Sequence, residues 1–206
     1  AGAIVLDVKV GSGAFMKNMQ DAEKLAEEMV KIGSLAGRNT IAVISDMDEP
    51  LGLAVGNALE VAEAVKTLKK EGPEDLINLC LELGTQMLIA SKVEENADKA
   101  RGMLQNSIDD GSAYNKFLEF IKRQGGDITV FDDLDEFTEC NYKIEVKADK
   151  EGYVQRIESE LIGEASMILG GGRMTKEDVI DYSVGVKLSA KRGDYVKCGD
   201  CLATIY

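Results

Sequence analysis

The stretch that decides the fold is Ala3-Ile-Val-Leu-Asp-Val-Lys-Val-Gly-Ser-Gly-Ala-Phe-Met16, near the start of the chain. Its first eight residues are mostly aliphatic, which is typical of a buried strand in a parallel sheet. The two glycines that follow permit backbone conformations closed to other residues, so another group can approach the chain closely there. The sequence therefore predicts a strand that runs into a tight loop carrying Phe15.

A helix and a second strand follow this loop. Apolar residues recur at steps of three and four from Ala22 to Ala36, and Gly37 stands where a helix usually ends. Residues 40–45 are again aliphatic and predict a second buried strand. A strand, a helix and a strand in this order normally form two parallel strands joined by a right-handed crossover.

Further helices are predicted before residue 125. Asn57, with Glu60 three residues later, resembles a capping box that opens a helix, and Gly72-Pro73 ends that helix. The apolar spacing predicts three more helices, at about residues 76–87, 94–106 and 112–123.

The pattern changes after residue 125. Residues 141–148 alternate apolar and charged side chains, which is typical of a strand with one solvated face. A short helix near residues 159–169 and short strands near residues 182–188, 195–197 and 202–206 follow.

We therefore predict an α/β unit with a mixed sheet and flanking helices at residues 1–130, a linker at 131–140, and a smaller α+β unit at 141–206. The acidic run at residues 131–139 could bind a cation, but a solvated linker is the favoured interpretation. Because both termini fall within strand patterns, we expect a fragment of a longer chain.

Composition narrows the class of protein. The 206 residues carry a formal net charge of -13, which argues against nucleic-acid or anionic-membrane binding because no basic face can neutralise phosphates. No apolar run approaches the roughly 20 residues that span a bilayer, and no signal segment opens the chain. We expect a cytoplasmic protein.

Several familiar chemistries do not fit the residues. The loop holds Met16 where a dinucleotide-binding fingerprint needs its third glycine, and no phosphate loop ending in Gly-Lys-Ser/Thr is present. The chain has no histidine, which excludes a Ser-His-Asp or Cys-His mechanism within it. Cys198-Gly-Asp-Cys201 lacks two further ligands at matched spacing, so reduced thiols are favoured over zinc and no organic cofactor is expected.

Several segments together resemble the thymidine phosphorylase and pyrimidine-nucleoside phosphorylase family. They keep their order and spacing over essentially the whole chain, and they are most similar to the bacterial pyrimidine-nucleoside phosphorylase branch. The segments are Ile4-Val-Leu-Asp-Val-Lys-Val-Gly-Ser-Gly-Ala-Phe-Met16, Ile44-Ser-Asp-Met47 with Pro50-Leu-Gly52, Gly56-Asn-Ala-Leu-Glu-Val61, and Gly170-Gly-Gly-Arg173 with Asp181-Tyr-Ser-Val-Gly185.

This resemblance implies reversible phosphorolysis of uridine, thymidine or deoxyuridine, in which inorganic phosphate displaces the base to give a (deoxy)ribose 1-phosphate. It also implies a homodimer for the longer protein. The family's phosphate ligands, and its charged and polar ligands for the base, map to no residue of this sequence. We therefore expect the isolated chain to be inactive and to contain no catalytic residue.

The resemblance assigns two binding sites. Phe15 aligns with a phenylalanine that contacts the base, and Gly11 and Gly13 would let the loop wrap around the ligand. The family's monovalent cation, usually potassium, takes the backbone carbonyls at positions matching Leu51 and Ala54 and the carboxylate matching Glu63. Its other ligands, a glycine and a threonine, lie upstream, so we expect an incomplete site in this chain that is weak or empty. Hard cations take such oxygen ligands.

The residues by themselves leave other interpretations open. Phe15 could plug the core, Glu63 could be an exposed helix acid, and Asp7 and Lys9 are more consistent with structural pairing than with catalysis.

An alternative function comes from the end of the chain. Residues 190–205 resemble the half-barrel repeat of biotinyl and lipoyl carrier domains, in which a Gly-Asp turn precedes each short strand. The phosphorylase family has a hammerhead-like barrel of this kind in its carboxy-terminal domain, so the resemblance predicts such a barrel here. A carrier or non-catalytic scaffold is the alternative function.

Overall fold

A parallel pair of strands organises the first half of the protein. The computed structural model describes all 206 residues. Strand β1 (Ala3–Val10) pairs in parallel with β2 (Asn39–Asp46) along its whole length, from the pair of Ala3 with Asn39 to the pair of Val10 with Asp46. Helix α1 (Met19–Leu35) connects the two strands, so the predicted strand, helix and strand are confirmed.

Two helices contact this strand pair. Helix α1 packs on the strands through Ala22 and Ala26, which are buried together with Val8. Helix α3 (Glu74–Ala90) also contacts β1 and β2. Because side chains alternate along a strand, Val8 faces α1 while its neighbours point to the opposite face.

Helix α1 approaches β2 without an intervening side chain at Gly33. A Cβ added to Gly33 would lie 2.0 Å from Thr40 Oγ1 and 2.8 Å from Thr40 Cβ. The glycine therefore sets how closely the helix lies on the strand.

The remaining predicted helices of this half are present. They are α2 (Asn57–Leu68), α4 (Ala97–Asp109) and α5 (Ser112–Arg123), in addition to α3. Helix α4 begins later than the apolar spacing predicts, because Asn96 caps it by accepting a hydrogen bond from the Lys99 N–H at 2.9 Å. No helix of the structure combines the length and apolar character needed to cross a bilayer.

The predicted capping role of Asn57 is wrong. Gly56 is the N-cap of α2, with a φ of 147° that favours glycine, and Asn57 is the first helical residue. The Asn57 side chain instead donates to the Gly171 carbonyl at 2.8 Å. The free N–H of Ala58 donates to the Tyr182 carbonyl at 3.1 Å, so a distant segment satisfies this helix terminus.

The second half contributes most of a four-stranded antiparallel sheet. Strand β3 (Ala54–Gly56) from the first half pairs with β6 (Gly185–Leu188), which is followed in the sheet by β8 (Cys201–Ile205) and β4 (Ile144–Lys147). Strands β5 (Gly152–Tyr153) and β7 (Tyr195–Val196) form a separate pair, and helix α7 (Ser159–Ser166) lies between β5 and β6 in the chain. The mixed α/β character is as predicted, but the strands form two open ladders and no closed barrel, so the hammerhead-like barrel is not confirmed.

Two copies of one turn connect these ladders. Residues 191–194 (Lys-Arg-Gly-Asp) and 197–200 (Lys-Cys-Gly-Asp) share the same hydrogen bonds: the aspartate N–H donates to the lysine carbonyl, and the aspartate side chain accepts from the lysine N–H. The glycines have φ values of 97° and 90°. We call them the first and second Lys-x-Gly-Asp turns.

The acidic run at residues 131–139 contains ordered structure. Phe131 is buried, and its ring centroid lies 5.2 Å from that of Phe117 and 5.4 Å from that of Phe137. Asp133 caps the short helix α6 (Leu134–Phe137) by accepting from the N–H groups of Asp135 and Glu136. The division of the chain into units at this run stays a prediction.

We expect Gly33→Ala to lower the free energy of unfolding by about 1–3 kcal/mol, because the methyl group collides with Thr40. Gly102→Ala is the matched control, since Gly102 also lies in a helix and an added Cβ there meets nothing within 4 Å. The control should raise stability by about 0.5–1 kcal/mol. Urea unfolding followed by circular dichroism measures both values, and equal effects at the two glycines would contradict the close packing of α1 on β2.

Candidate functional site

The loop after β1 and the loop after β2 bind each other. We call residues 11–16 the glycine loop and residues 46–49 the acidic loop. The Ser12 N–H donates to Asp48 Oδ1 at 2.9 Å, the Ser12 hydroxyl donates to the Asp48 carbonyl at 2.9 Å, and the Gly13 N–H donates to the Met47 carbonyl at 3.0 Å. Parallel pairing brings the two strand ends to one edge of the sheet, which makes these contacts possible.

Both glycines of the glycine loop are required by neighbours within the protein. Gly11 has a φ of 129°, and a Cβ there would lie 2.6 Å from the Asp48 nitrogen. A Cβ at Gly13 would lie 2.5 Å from Ser159 Cβ, at the start of α7. The close approach that the sequence predicts is therefore made by protein atoms, and the wrapping of Gly11 and Gly13 around a ligand stays a prediction.

Phe15 stands out from the glycine loop. Phe15 is 98% exposed. The alternative in which Phe15 plugs the core is therefore wrong. Phe15 lies on the rim of a cavity of about 380 Å³ with apolar walls that include Ala14, Met16 and Met47.

The second candidate site is built on residues 50–54, which we call the carbonyl loop. The Glu63 side chain on α2 accepts hydrogen bonds from the Leu53 N–H at 3.0 Å and the Ala54 N–H at 3.3 Å. Gly52 lets this carboxylate approach, because a Cβ on Gly52 would lie 2.2 Å from Glu63 Oε2. Glu63 is thus half-buried beside the loop and is not the exposed helix acid of the alternative interpretation.

Two carbonyl groups of this loop are available for a cation. The Leu51 carbonyl accepts no hydrogen bond within the protein. Strand β3 is at the edge of its sheet, and the hydrogen bond from Leu188 N–H to the Leu53 carbonyl directs Leu53 toward β6. Ala54 donates its N–H to Glu63, and regular pairing of β3 with β6 directs the Ala54 carbonyl away from β6.

Burial shapes the electrostatics of Glu63. Burial raises the pKa of the Glu63 carboxyl above its ordinary value, although the N–H groups of Leu53 and Ala54 act to lower it. Glu63 also lines a cavity of about 350 Å³ together with Lys66 and Lys187. A partly desolvated carboxylate next to two outward-directed carbonyls is an oxygen donor set that suits a hard cation.

Lys191 from the first Lys-x-Gly-Asp turn reaches into the carbonyl loop. Its ammonium donates to the carbonyls of Pro50 and Gly52, the latter at 2.9 Å, and lies 3.0 Å from Asp75 Oδ2. Asp75 also accepts from the Gly52 N–H at 3.0 Å. Burial acts to raise the pKa of Asp75, but the Lys191 and Gly52 hydrogen bonds outweigh it and hold that pKa below its ordinary value.

Arg192 ties the same turn to the acidic loop. Its guanidinium lies 3.0 Å from Asp46 Oδ2 and 3.7 Å from Asp48 Oδ2, and its backbone N–H donates to Glu49 at 2.9 Å. Each exposed ion pair contributes at most about 1 kcal/mol. Together with Lys191, however, they connect the end of the chain to both loops of the site.

Asp7 and Lys9 form a structural pair, as predicted. The Lys9 ammonium lies 2.5 Å from Asp7 Oδ2 and donates to the Ser45 hydroxyl at 3.1 Å. Ser45 in turn donates to Asp7, so the three side chains bind one another across β1 and β2.

The four cysteines are free thiols. Cys198 and Cys201 donate to the carbonyls of Asp149 and Ala203, each at 3.3 Å, rather than to a shared ligand.

Comparisons with known proteins identify the family of this chain. Residues 1–114 match the α/β domain of a glycosyl transferase family, and residues 153–206 match the carboxy-terminal domain of pyrimidine nucleoside phosphorylase. Two pyrimidine-nucleoside phosphorylases of Staphylococcus aureus, from strains RF122 / ET3-1 and USA300, are 55% and 54% identical over all 206 residues. The chain belongs to the pyrimidine-nucleoside phosphorylase family.

The match covers only part of each relative. The chain spans 48% of the length of these Staphylococcus aureus phosphorylases, so it corresponds to about half of the enzyme. The second of the two family models covers the residues that resemble a carrier half-barrel, and it assigns them to the phosphorylase.

Sequence reasoning missed Lys191, Asp75 and Arg192, which contact the candidate site. Asp75 is on α3, whereas Lys191 and Arg192 are in the first Lys-x-Gly-Asp turn, far from it along the chain. The repeat of Lys-x-Gly-Asp at residues 191 and 197 was the available signal, since it indicates two similar turns. It does not indicate which of the two lysine side chains reaches the carbonyl loop.

We expect the contact between Gly13 and Ser159 to appear in a double-mutant cycle. Gly13→Ala should lower the free energy of unfolding by about 1–3 kcal/mol, and adding Ser159→Gly should recover part of that loss. The control cycle pairs Gly13→Ala with Ser166→Gly, at the other end of α7, and should be additive. Denaturant unfolding provides the free energies, and additivity in both cycles would show that the glycine loop does not rest on Ser159.

Proposed function

We propose that the chain is part of an enzyme that phosphorolyses pyrimidine nucleosides to the free base and a (deoxy)ribose 1-phosphate. Phe15 contacts the pyrimidine base, and the carbonyl loop with Glu63 holds a monovalent cation, most simply potassium. The observation that supports this proposal is an almost fully exposed phenylalanine on a loop that is held by hydrogen bonds to the acidic loop and by close contact with α7.

The exposure of Phe15 supports contact with a base. Phe15 lies beside an apolar cavity, where its ring can pack against the flat face of another ring. A pyrimidine ring has an apolar face that an aromatic or aliphatic wall can cover, and the cavity beside Phe15 lies in the size range of ligand sites.

The reaction explains what the rest of the enzyme must add. Displacing the base places positive charge on the sugar and negative charge on the leaving base, so positioned phosphate and hydrogen-bond donors to the base carry the catalysis. The residues of this chain bind and orient: Phe15 limits where the base lies, and the glycine loop fixes Phe15. Donors to phosphate and to the base are expected from the rest of the longer protein.

The proposed cation site uses Leu51, Ala54 and Glu63. Their oxygen atoms fit a hard cation: one carbonyl lacks a donor, one is directed outward from a sheet edge, and one carboxylate is partly desolvated. A bound monovalent cation would supply positive charge near Glu63 and fix the carbonyl loop. Homodimer formation and a cytoplasmic location stay predictions.

A chimera tests the proposed function. In it, this chain replaces the corresponding segment of the Staphylococcus aureus pyrimidine-nucleoside phosphorylase to which it is 55% identical. We expect the chimera to convert uridine and phosphate to uracil and ribose 1-phosphate. Phe15→Ala in the chimera should raise KM for uridine about tenfold, with unchanged thermal stability because the side chain is exposed.

Phe120→Ala is the matched control for Phe15→Ala. Phe120 is a phenylalanine on α5 that is 57% exposed and lies on no wall of the cavity beside Phe15. It should leave KM for uridine unchanged. A folded chimera without phosphorolysis, or equal KM values for both variants, would contradict the proposed function.

The isolated 206-residue chain should form no ribose 1-phosphate from uridine and phosphate. The reason is that none of the family's phosphate ligands, and no histidine, is found in the sequence. A coupled assay for ribose 1-phosphate on the purified chain measures this directly. Turnover above the buffer blank would show that the chain holds phosphate by itself.

A further inference from the structure

The carbonyl loop is held by side chains from three separate elements. Glu63 of α2 accepts from the N–H groups of Leu53 and Ala54, and Asp75 of α3 accepts from the N–H of Gly52. Lys191 of the first Lys-x-Gly-Asp turn donates to the carbonyls on either side of Leu51. Side chains thus satisfy five backbone groups within residues 50–54, and the Leu51 carbonyl is left over.

The position of the Lys191 ammonium is specific to one of the two turns. The second Lys-x-Gly-Asp turn has the same backbone hydrogen bonds, but its lysine, Lys197, makes no side-chain hydrogen bond or ion pair. The Lys191 side chain is only 19% exposed, whereas a turn of this kind needs no buried ammonium. The placement of Lys191 is therefore not explained by the turn itself.

Burying an ammonium group is costly unless hydrogen bonds and opposite charge compensate. Lys191 has both, from the carbonyls of Pro50 and Gly52 and from Asp75. The two carbonyls that Lys191 binds lie immediately before and after Leu51. Because the ammonium binds them, they are not available to a second cation.

We propose that Lys191, anchored by Asp75, is a positioning residue that holds the carbonyl loop in the form that binds a monovalent cation. The proposal rests on the cation site of the proposed function and extends it. The Lys191 ammonium binds the carbonyls of Pro50 and Gly52. The Leu51 carbonyl, the Ala54 carbonyl and the Glu63 carboxylate remain to bind the ion. The small second unit, through its first Lys-x-Gly-Asp turn, thereby sets the affinity of a site formed by the first unit.

Lys191→Met tests the proposal because methionine keeps an unbranched apolar stem and removes the three donors. Lys197→Met is the matched control in the second turn. Each variant is made in the chimera, which includes the upstream part of the enzyme. Potassium chloride is titrated against each variant and the unsubstituted chimera, with tetramethylammonium chloride keeping the ionic strength constant. The rise in the thermal midpoint with potassium gives the dissociation constant.

Hydrogen exchange at the Leu53 and Ala54 amides is the second readout, because Glu63 protects both. In Lys191→Met we expect potassium to bind about tenfold more weakly and these two amides to exchange about tenfold faster. Lys197→Met should match the unsubstituted chimera in both respects. Asp75→Asn, which keeps the side-chain volume and removes the charge beside Lys191, should weaken potassium binding in the same direction and covers the case of a Lys191→Met chimera that does not fold.

The outcomes separate this inference from the site on which it rests. Weaker potassium binding with faster exchange in Lys191→Met or Asp75→Asn, and neither in Lys197→Met, supports the proposal. Potassium binding as tight as or tighter than in the unsubstituted chimera overturns the proposal and leaves the cation site standing. A chimera whose thermal midpoint responds equally to potassium and tetramethylammonium overturns the cation site, and the proposal with it.

Discussion

The parallel register of β1 and β2 is the constraint on which the rest of the structure depends. Because Val10 lies opposite Asp46, the two strands end together, and the glycine loop and the acidic loop leave the sheet at the same edge. Ser12 and Gly13 can then bind the backbone and side chain of the acidic loop. A shift of register would separate these partners and leave the loop that carries Phe15 without support.

The second half of the chain contributes side chains that contact the loops following β1 and β2. Ser159 at the start of α7 lies against Gly13, and Arg192 contacts the acidic loop, while Lys191 enters the carbonyl loop. Strand β3 adds a covalent route, since it continues the carbonyl loop and pairs with β6. Two carboxy-terminal elements therefore contact the loops of the proposed sites: α7 contacts the glycine loop, and the first Lys-x-Gly-Asp turn contacts the carbonyl loop.

The sequence predicts local features well here because they depend on neighbouring residues. The aliphatic run at residues 3–10 and the glycine after α1 are enough to predict β1, α1 and β2. The prediction from neighbouring residues fails at Asn57. Its spacing to Glu60 fits a capping box, but Gly56 has the N-cap backbone conformation and the Asn57 amide donates to the Gly171 carbonyl. That partner lies 114 positions away, and no local pattern reports it.

The residues of the candidate sites also divide into those that the sequence indicates and those that only the structure shows. Phe15, Leu51, Ala54 and Glu63 come from family resemblance, which carries positions but not contacts. The hydrogen bonds of Lys191 to the carbonyl loop depend on how β3 and β6 pair, so they follow only from the three-dimensional structure. The glycine loop is intermediate, since its glycines indicate a close approach but do not say that Ser159 and Asp48 make it.

The most direct measurement is a crystal structure of the chimera with uracil and thallium(I), a potassium substitute with a strong anomalous signal. We predict uracil against the Phe15 ring and an anomalous peak between the Leu51 and Ala54 carbonyls and Glu63. The Lys191 ammonium should still bind the carbonyls of Pro50 and Gly52. Uracil bound elsewhere with Phe15 in solvent, and no anomalous peak at the carbonyl loop, would show that neither proposed site exists.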